Sequence, residues 1–409
     1  MGLNKGISIN DYDYDLPQDR IAYFPLPERD NSFILIRDKE GNISKDIFKN
    51  ISEYLPDSSN LVFNNSRVIP ARVRFPASNG SFVEIFCLEP VEPDNYREMM
   101  QKKGDCMWRC MIGNKKHFRK ILPKKITLDN GTSVVLEVFG TENEGLTSIV
   151  DFHWDDPAIC FGDIISHAGI TPLPPYIKRE AENIDRIRYQ TVYSKVDGSV
   201  AAPTAGLHFT GKVIHDLKRK NIKMLDVTLH VSAGTFLPVK SQYISEHKMH
   251  SEFFSVTREF IEAFSDIEGP VIAVGTTALR TLESLYWIGV MLNGNVKAHT
   301  DFLFLDQWEP YRFSPALKMK EAFSNLIRWL DHRKLDSLDG RTRMMILPGY
   351  DFQVADAVIT NFHQPKSTLL LLIAAFIGDP WKDLYRYALD NNFRFLSYGD
   401  SSLLWRPGF

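Results

Sequence analysis

Residues 271–277 read Val271–Ile272–Ala273–Val274–Gly275–Thr276–Thr277. Four apolar residues stop on a glycine and two threonines, and an amphipathic stretch begins at Ala278. A short run that is apolar without alternation reads as a strand buried on both faces. The pattern recurs. Leu61–Val62–Phe63 runs into Asn64–Asn65–Ser66–Arg67, and Met224–Val231 runs into Ser232–Ala233–Gly234–Thr235. Ala357–Val358–Ile359 runs into Thr360–Asn361–Phe362–His363. Such strands belong to an α/β sheet, where ligands collect at the carboxyl ends. Any one of these ends reads most simply as a strand-ending turn. Together, their His, Asn, Thr and Arg side chains predict one shared crevice.

Working outward, the texture changes between about Arg72 and Phe152. Phe82–Leu88, Lys125–Leu128, Ser133–Phe139 and Ser148–Phe152 are short β-type runs separated by Asn, Gly, Asp and Pro. Regular short strands with turn signals predict a small barrel or sandwich. The expected fold class is therefore α/β, with a β-barrel domain (71–152) inserted into a discontinuous α/β domain (1–70 and 153–409). Pro172, Pro174 and Pro175 mark an extended linker. Thr210–Arg219 reads as a helix. Another is expected with Ser314 as N-cap and Pro315 at its first position, carrying Met319, Phe323, Leu326, Ile327 and Leu330 at helical spacing.

At 409 residues, with 44% hydrophobic and 24% charged residues, the chain has the composition of a soluble globular protein. A net charge of −3 argues against non-specific coating of nucleic acid but leaves room for a local basic patch. Cys87, Cys106, Cys110 and Cys160 lack the spacing of paired zinc knuckles. No basic, then apolar, leader opens the chain, and the longest apolar run, Leu369–Ile377, is far short of the ~20 residues of a membrane span. A reduced, cytoplasmic, monomeric protein away from membranes is expected, with no metal and no bound cofactor.

Two segments carry unusual chemistry for turns: Ala201–Pro203–Thr204–Ala205–Gly206–Leu207–His208–Phe209–Thr210 and Thr228–Leu229–His230–Val231–Ser232–Ala233–Gly234–Thr235. Each joins a histidine to threonine and glycine. Glycine lets a ligand approach the backbone, and imidazole changes charge near neutral pH. His247 and His250, three apart, would offer metal ligands on a helix. The strand-like Phe253–Val256 that follows favours a polar-ligand or strand-end role for His250 and Glu252. Gly275–Thr276–Thr277 opens a helix whose free N–H groups suit an anion. It is not G-x-G-x-x-G, and no G-x-x-x-x-G-K-[ST] occurs, which disfavours ordinary nicotinamide and ATP enzymes. Arg280 and Glu283 either pair across a turn of that helix or face a ligand. Ser367 or Thr368 caps the helix after Pro365. Basic runs at Lys115–Lys120 and Lys218–Lys223 are solvated faces or RNA contacts. A Ser/His/Asp hydrolase is disfavoured, because no nucleophile elbow is present.

Read together, the motifs resemble the S-adenosylmethionine:tRNA ribosyltransferase-isomerase family of the queuosine pathway. The likeness rests on Tyr14–Asp15–Leu16–Pro17, Pro25–Leu26–Pro27–Glu28–Arg29–Asp30, Asn64–Arg72, Pro172–Ile177 and Tyr189–Tyr193. It continues through both histidine segments, Met249–His250–Ser251–Glu252, Val274–Thr277, Pro348–Gly349–Tyr350, Thr360–His363 and Ser397–Tyr398–Gly399–Asp400.

The resemblance implies an α/β protein with an inserted β-barrel. Its reaction moves the ribosyl part of S-adenosylmethionine, a co-substrate, onto 7-aminomethyl-7-deazaguanine in tRNA, forming an epoxycyclopentanediol and releasing adenine and methionine. His208, His230 and His250 are the expected proton carriers. Arg67 and Arg280 would hold a carboxylate or phosphate. Thr276, Thr277, Asn361 and His363 would orient ribose or base, and Asn64, Thr204, Thr235 and Glu252 complete the expected binding set. Phe33, Asn65, Ser232 and Gln364 depart from the family pattern, and residues 290–343 form an extra segment. These departures admit a paralogue with another acceptor, or a non-catalytic RNA-binding relative.

Overall fold

Every residue of the strands Asn60–Asn64, Val271–Val274 and Ala357–Asn361 is buried. The computed structural model describes residues 6–144, 146–232, 234, 239, 241–293, 302–312 and 317–408. In it these strands lie side by side and parallel, and Lys223–His230 joins in parallel beyond Asn60–Asn64. Residues alternate between faces, as the strand period demands. Val62, Ala273 and Val358 pack on Leu279, Leu282 and Leu285 of the helix Thr276–Met291. Leu61, Phe63, Ile272, Val274 and Ile359 pack on Phe209, Val213 and Leu217 on the other side. Phe63 meets Phe209 edge-on at 5.1 Å between ring centroids. Burying such a ring stabilises the fold by about 1.5–3 kcal/mol. Helices cover both faces, which is why the runs carry no polar alternation.

This parallel core is extended into a mixed sheet of ten strands. On one side Ser401–Trp405 pairs antiparallel with Ala357–Asn361, followed by Phe33–Arg37 in parallel and Ile43–Ile47 at the edge. On the other side Glu252–Thr257 and Ser337–Thr342 add antiparallel strands, and Leu303–Leu305 closes the edge. Two of these strands, Leu303–Leu305 and Ser337–Thr342, come from the stretch 290–343 that the sequence reading expects to be extra. Its helix, Met319–Arg333, buries Phe323, Leu326, Trp329 and Leu330 on the helices Arg258–Ser265 and Thr276–Met291. Gly289 permits the close crossing: a Cβ there would stand 2.2 Å from the Ala322 carbonyl oxygen.

That helix starts at Met319, not at Pro315. The Lys318 backbone N–H donates to the Glu321 carboxylate at 3.1 Å, and the Glu321 N–H donates to the Lys318 carbonyl at 3.0 Å, which fixes the start. Ser314 and Pro315 lie outside the described residues.

The second sheet has seven antiparallel strands, in the order Gly169–Ile170, Arg72–Pro76, Phe82–Glu92, Asp105–Gly113, Thr147–Trp154, Ser133–Glu144, Lys124–Thr127. It is curled, but its two edge strands do not pair with each other, so it is a half-barrel rather than a closed barrel. The helix Phe161–Ala168 fills the concave side. Phe161 lies 5.5 Å from Trp108 and 5.6 Å from Phe152, and Ile164 and Ile165 are buried beside it. A helix supplies the apolar cover that closure would otherwise provide. Cys87, Cys106 and Cys110 are buried in this core as free thiols.

Candidate active site

The carboxyl ends of the central strands open onto one crevice. Together with the solvent at its mouth it spans about 700 Å³, and it is lined by Tyr176, Thr204, Gly275, Thr276, Thr277, Thr360, Asn361, Phe362, His363 and Ser367, among others. Gly275 turns the strand into the helix with φ +93° and ψ 153°, a conformation available in practice to glycine alone. Its N–H donates to the Ile359 carbonyl at 2.8 Å, tying two strand ends together. The helix that follows starts at Thr276, so its unpaired N–H groups face the crevice. A second helix, Thr368–Ile377, begins beside it. Ser367 caps it, accepting from the Leu370 N–H at 3.2 Å. Two helix starts on one cavity give it a positive bias for an anion.

Two buried polar atoms on these elements have no partner among the described residues, Thr277 Oγ1 and Asn361 Oδ1. Buried polar atoms are nearly always satisfied, so orphans in a cavity wall point to a ligand. His363 is buried with Nε2 3.0 Å from Thr360 Oγ1, and its backbone N–H donates to the Tyr385 hydroxyl at 3.0 Å. Burial lowers its pKa to about 3, which keeps the ring neutral.

His208 stands behind this wall. The Asn361 amide donates to its Nε2 at 3.3 Å, and Ser32 Oγ lies 2.8 Å from its Nδ1. A donor at Nε2 puts the ring proton on Nδ1, facing Ser32. Burial, then the charges of Arg394 and Arg29, push its pKa down to about 3. Asn361 Nδ2 also reaches the carbonyls of Leu396 at 3.1 Å and Asp400 at 3.4 Å. That arrangement turns its Oδ1 the other way.

The remaining sequence candidates lie elsewhere. His230 is in a separate cleft toward the half-barrel, stacked on Tyr96 at 4.0 Å and 12°. Its neighbour Val231 lines the crevice, since successive residues of an extended chain point opposite ways. Burial holds His230 near pKa 3, and its Nδ1 has no partner among the described residues. His250 is exposed beside Gly234. Asn64 bridges two strands, donating to the Leu229 carbonyl at 2.9 Å and accepting from the Leu229 N–H at 3.0 Å. Arg67 is exposed, donating to the Ser194 carbonyl at 3.0 Å. Glu252 and Arg280 form a buried ion pair at 3.2 Å. Glu283 does not pair with Arg280. It accepts from the Tyr350 hydroxyl at 2.7 Å and from the backbone N–H groups of Gln353 and Val354, each at 3.0 Å. Thr235 lies outside the described residues. Thr204, Thr276, Thr277, Asn361 and His363 are thus the candidates the crevice gathers.

Tyr176 and Phe362, two aromatic walls, were not singled out as ligands from sequence. Each stands inside a quoted motif, but an aromatic beside proline or asparagine reads first as core. The Lys218–Lys223 run sits at the opposite end of the strand Lys223–His230, roughly 20 Å or more from the carboxyl end. Lys220 there donates to the carbonyls of Ser52 and Leu55, each at 2.9 Å. Among the described residues no three His, Cys, Asp or Glu side chains gather in a metal-binding group, and no helix is long and apolar enough to cross a membrane.

Known proteins resemble this chain over nearly its whole length. Residues 9–404 match the family described as Queuosine biosynthesis protein. An S-adenosylmethionine:tRNA ribosyltransferase-isomerase of Halothermothrix orenii is 34% identical over 97% of this chain and 100% of its own length. The like-named protein of Thermotoga petrophila is 35% identical over 97% of this chain and 100% of its own. That of Trichlorobacter lovleyi is 35% identical over 97% and 99%. A crystal structure of an S-adenosylmethionine tRNA ribosyltransferase from Thermotoga maritima covers 96% of this chain and 99% of its own, at 25% identity and a TM-score of 0.45. With nearly its whole length matched and full-length relatives above a third identical, the chain belongs to the queuosine biosynthesis protein family.

Proposed function

We propose that this chain is an S-adenosylmethionine:tRNA ribosyltransferase-isomerase, which transfers the ribosyl group of S-adenosylmethionine to 7-aminomethyl-7-deazaguanine in tRNA and isomerises it. Adenine and methionine are the other products. The full-length relatives carry that name. The observation that carries the reading to this site is the crevice itself, where two helix starts meet the unpartnered Thr277 Oγ1 and Asn361 Oδ1. S-adenosylmethionine is a co-substrate, and no resident cofactor enters the proposal.

The helix starts at Thr276 and Thr368 suit the methionine carboxylate. Tyr176 and Phe362 offer apolar faces for the adenine, with Thr204, Asn361 and His363 as hydrogen-bonding partners for ribose or base. The sulfonium acidifies the adjacent ribose methylene, so a base takes a proton there, and adenine leaves more readily with an acid beside it. Of the histidines read as proton carriers, His208 has both nitrogens engaged within the protein, and we assign it to positioning Asn361. His363 is the imidazole on the crevice wall and the one placed to exchange a proton with the ligand there, while His230 and His250, outside the crevice, are proposed as carriers toward the acceptor only. Glu252 and Arg280 neutralise each other beneath the site, Asn64 holds two strand ends in register, and Arg67 is left for the acceptor's phosphates. Residues 71–152 are proposed as a β domain inserted between the two parts of the α/β domain, 1–70 and 153–409. The enzyme is proposed to act as a cytoplasmic monomer.

The test is incubation with S-adenosylmethionine and tRNA carrying 7-aminomethyl-7-deazaguanine. Adenine and methionine are expected in equal amounts. Release with another acceptor alone would favour a paralogue, and tRNA binding without release would favour a non-catalytic relative.

A further inference from the structure

The motifs Pro25–Asp30, Tyr189–Tyr193 and Ser397–Asp400 flank a recess that the crevice chemistry leaves unused. It is small and open to solvent, and it is lined by Arg29, Arg188, Arg394, Ser32, His208 and Tyr398, among others. All three guanidinium groups are half-buried. Arg29 donates to the Gln190 carbonyl at 2.9 Å, and Arg188 donates to the carbonyls of Pro27, at 2.9 Å, and Leu26. Neither meets a carboxylate within ion-pair distance among the described residues. Arg394 stands 3.5 Å from Asp400, whose carboxylate is shared with the backbone N–H groups of Phe33 at 3.0 Å and Arg394 at 2.7 Å. Of the three, only Arg394 has a carboxylate within ion-pair distance among the described residues, and the charge of Asp30 also reaches Arg29. Half-buried positive charges are kept together at a cost unless an anion joins them. Burial first, then the charge of Arg188, lowers the Arg29 pKa, and Tyr398 and Asp30 oppose that shift.

The recess is also placed for use with the crevice. Ser397 borders both cavities, and the His208 ring that lines the recess holds Asn361 on the crevice wall. Beside it stands Phe24, 51% exposed, with the Arg179 guanidinium 4.2 Å over its ring. Exposed Ile187 and Val192 lie on the same chain segment as Arg188. Cations interleaved with exposed apolar and aromatic side chains suit a single-stranded nucleic acid, whose phosphates need charge and whose bases need flat surfaces.

We infer that the recess of Arg29, Arg188 and Arg394 binds a backbone phosphate of the tRNA next to the nucleotide presented to the crevice. This rests on the proposed function for the identity of the acceptor. The fork of a guanidinium matches two phosphate oxygens, which lysine does not reproduce.

The experiment measures tRNA binding by fluorescence anisotropy across a salt series for the full chain, Arg188→Gln, Arg29→Gln and Arg188→Lys, with thermal melts of each. Both Gln variants are expected to bind roughly tenfold more weakly. Their log–log salt slopes should fall by about 0.7 per arginine removed. Arg188→Lys should retain the slope and lose part of the affinity. Folded Gln variants with unchanged affinity and slope overturn the inference. Inorganic sulfate is the second probe. If it raises the melting temperature of the native chain over chloride at equal ionic strength, that gain is lost in Arg188→Gln, and tRNA affinity does not change, the recess takes a free anion and the inference falls. Phenylglyoxal modification of the native chain avoids any folding defect. Saturating tRNA should protect Arg29 and Arg188, and unchanged modification overturns the inference. Adenine release at saturating tRNA is read in parallel. If it occurs while the arginines stay silent, this inference alone falls. If it fails while they respond, the proposed reaction falls and the phosphate site stands.

Discussion

His208 and Asn361 are joined through the imidazole Nε2 and the amide Nδ2 at 3.3 Å, so a buried, neutral histidine sets the direction of an amide on the wall of the crevice. Ser32, on the other nitrogen at 2.8 Å, fixes the tautomer. Replacing His208 by Ala removes a packed ring and leaves the Ser32 hydroxyl short of a partner, while Asn361 keeps the carbonyls of Leu396 and Asp400. An unsatisfied group costs about 1–3 kcal/mol. We expect the midpoint of urea unfolding to fall by an amount worth about 2–4 kcal/mol. For turnover, KM for S-adenosylmethionine should rise more than kcat falls. His208→Asn should recover part of the stability.

Glu252 and Arg280 form a buried pair at 3.2 Å. Removing one partner strands the other charge and should cost about 3–5 kcal/mol. Glu252→Met with Arg280→Met should cost less than the sum of the single changes. Equilibrium denaturation of the two single variants and the double variant closes the cycle. Additive losses would show that the pair does not act as a unit.

Stability should depend on pH through the buried histidines. His208, His230 and His363 each have a folded pKa of about 3, below the ordinary value of 6.5. Between those values the unfolded chain binds more protons than the folded one, so stability is complete above 6.5 and is lost as pH falls toward 3. Each histidine contributes up to about 1.4 kcal/mol per pH unit well inside that window. His230→Phe keeps the stack on Tyr96 and removes one titration. Its unfolding free energy should be less steep in pH than that of the native chain between pH 6 and 5, a comparison in which the other groups cancel.

Gly275→Ala places a side chain at φ +93°, where the new Cβ would meet Thr277 Oγ1 at 3.4 Å and Ala205 Cβ at 3.6 Å. Space is adequate, so the cost is backbone strain of about 1–3 kcal/mol. The turn also aims the helix start. Titration calorimetry should show weakened S-adenosylmethionine binding together with the lower melting temperature. An unchanged affinity would mean that this helix start does not touch the ligand.

The central sheet was readable because Leu61–Phe63, Val271–Val274 and Ala357–Ile359 are buried on both faces, a condition that writes itself as unbroken apolar sequence. The strand Ser401–Trp405 was not read. It opens on Ser401 and Ser402, and Ser402 is accommodated only by donating to the Thr360 carbonyl across the sheet at 3.1 Å. The curled sheet was read as a small barrel or sandwich because edge pairing leaves no mark in local sequence, while the plugging helix Phe161–Ala168 follows the last long strand. At the site, threonines and a glycine after a strand pointed to the crevice. Asn64 and Arg280 looked like ligands until their partners, Leu229 and Glu252, were brought near by the fold. Charge neutralisation between distant segments cannot be read from composition or spacing.

The most direct measurement is a crystal structure with S-adenosylmethionine bound. The methionine carboxylate should lie at the helix starts of Thr276 or Thr368, with Thr277 Oγ1 and Asn361 Oδ1 in contact with the ligand. A nucleoside seated instead in the cleft of Tyr96 and His230, with the crevice untouched, would contradict the account.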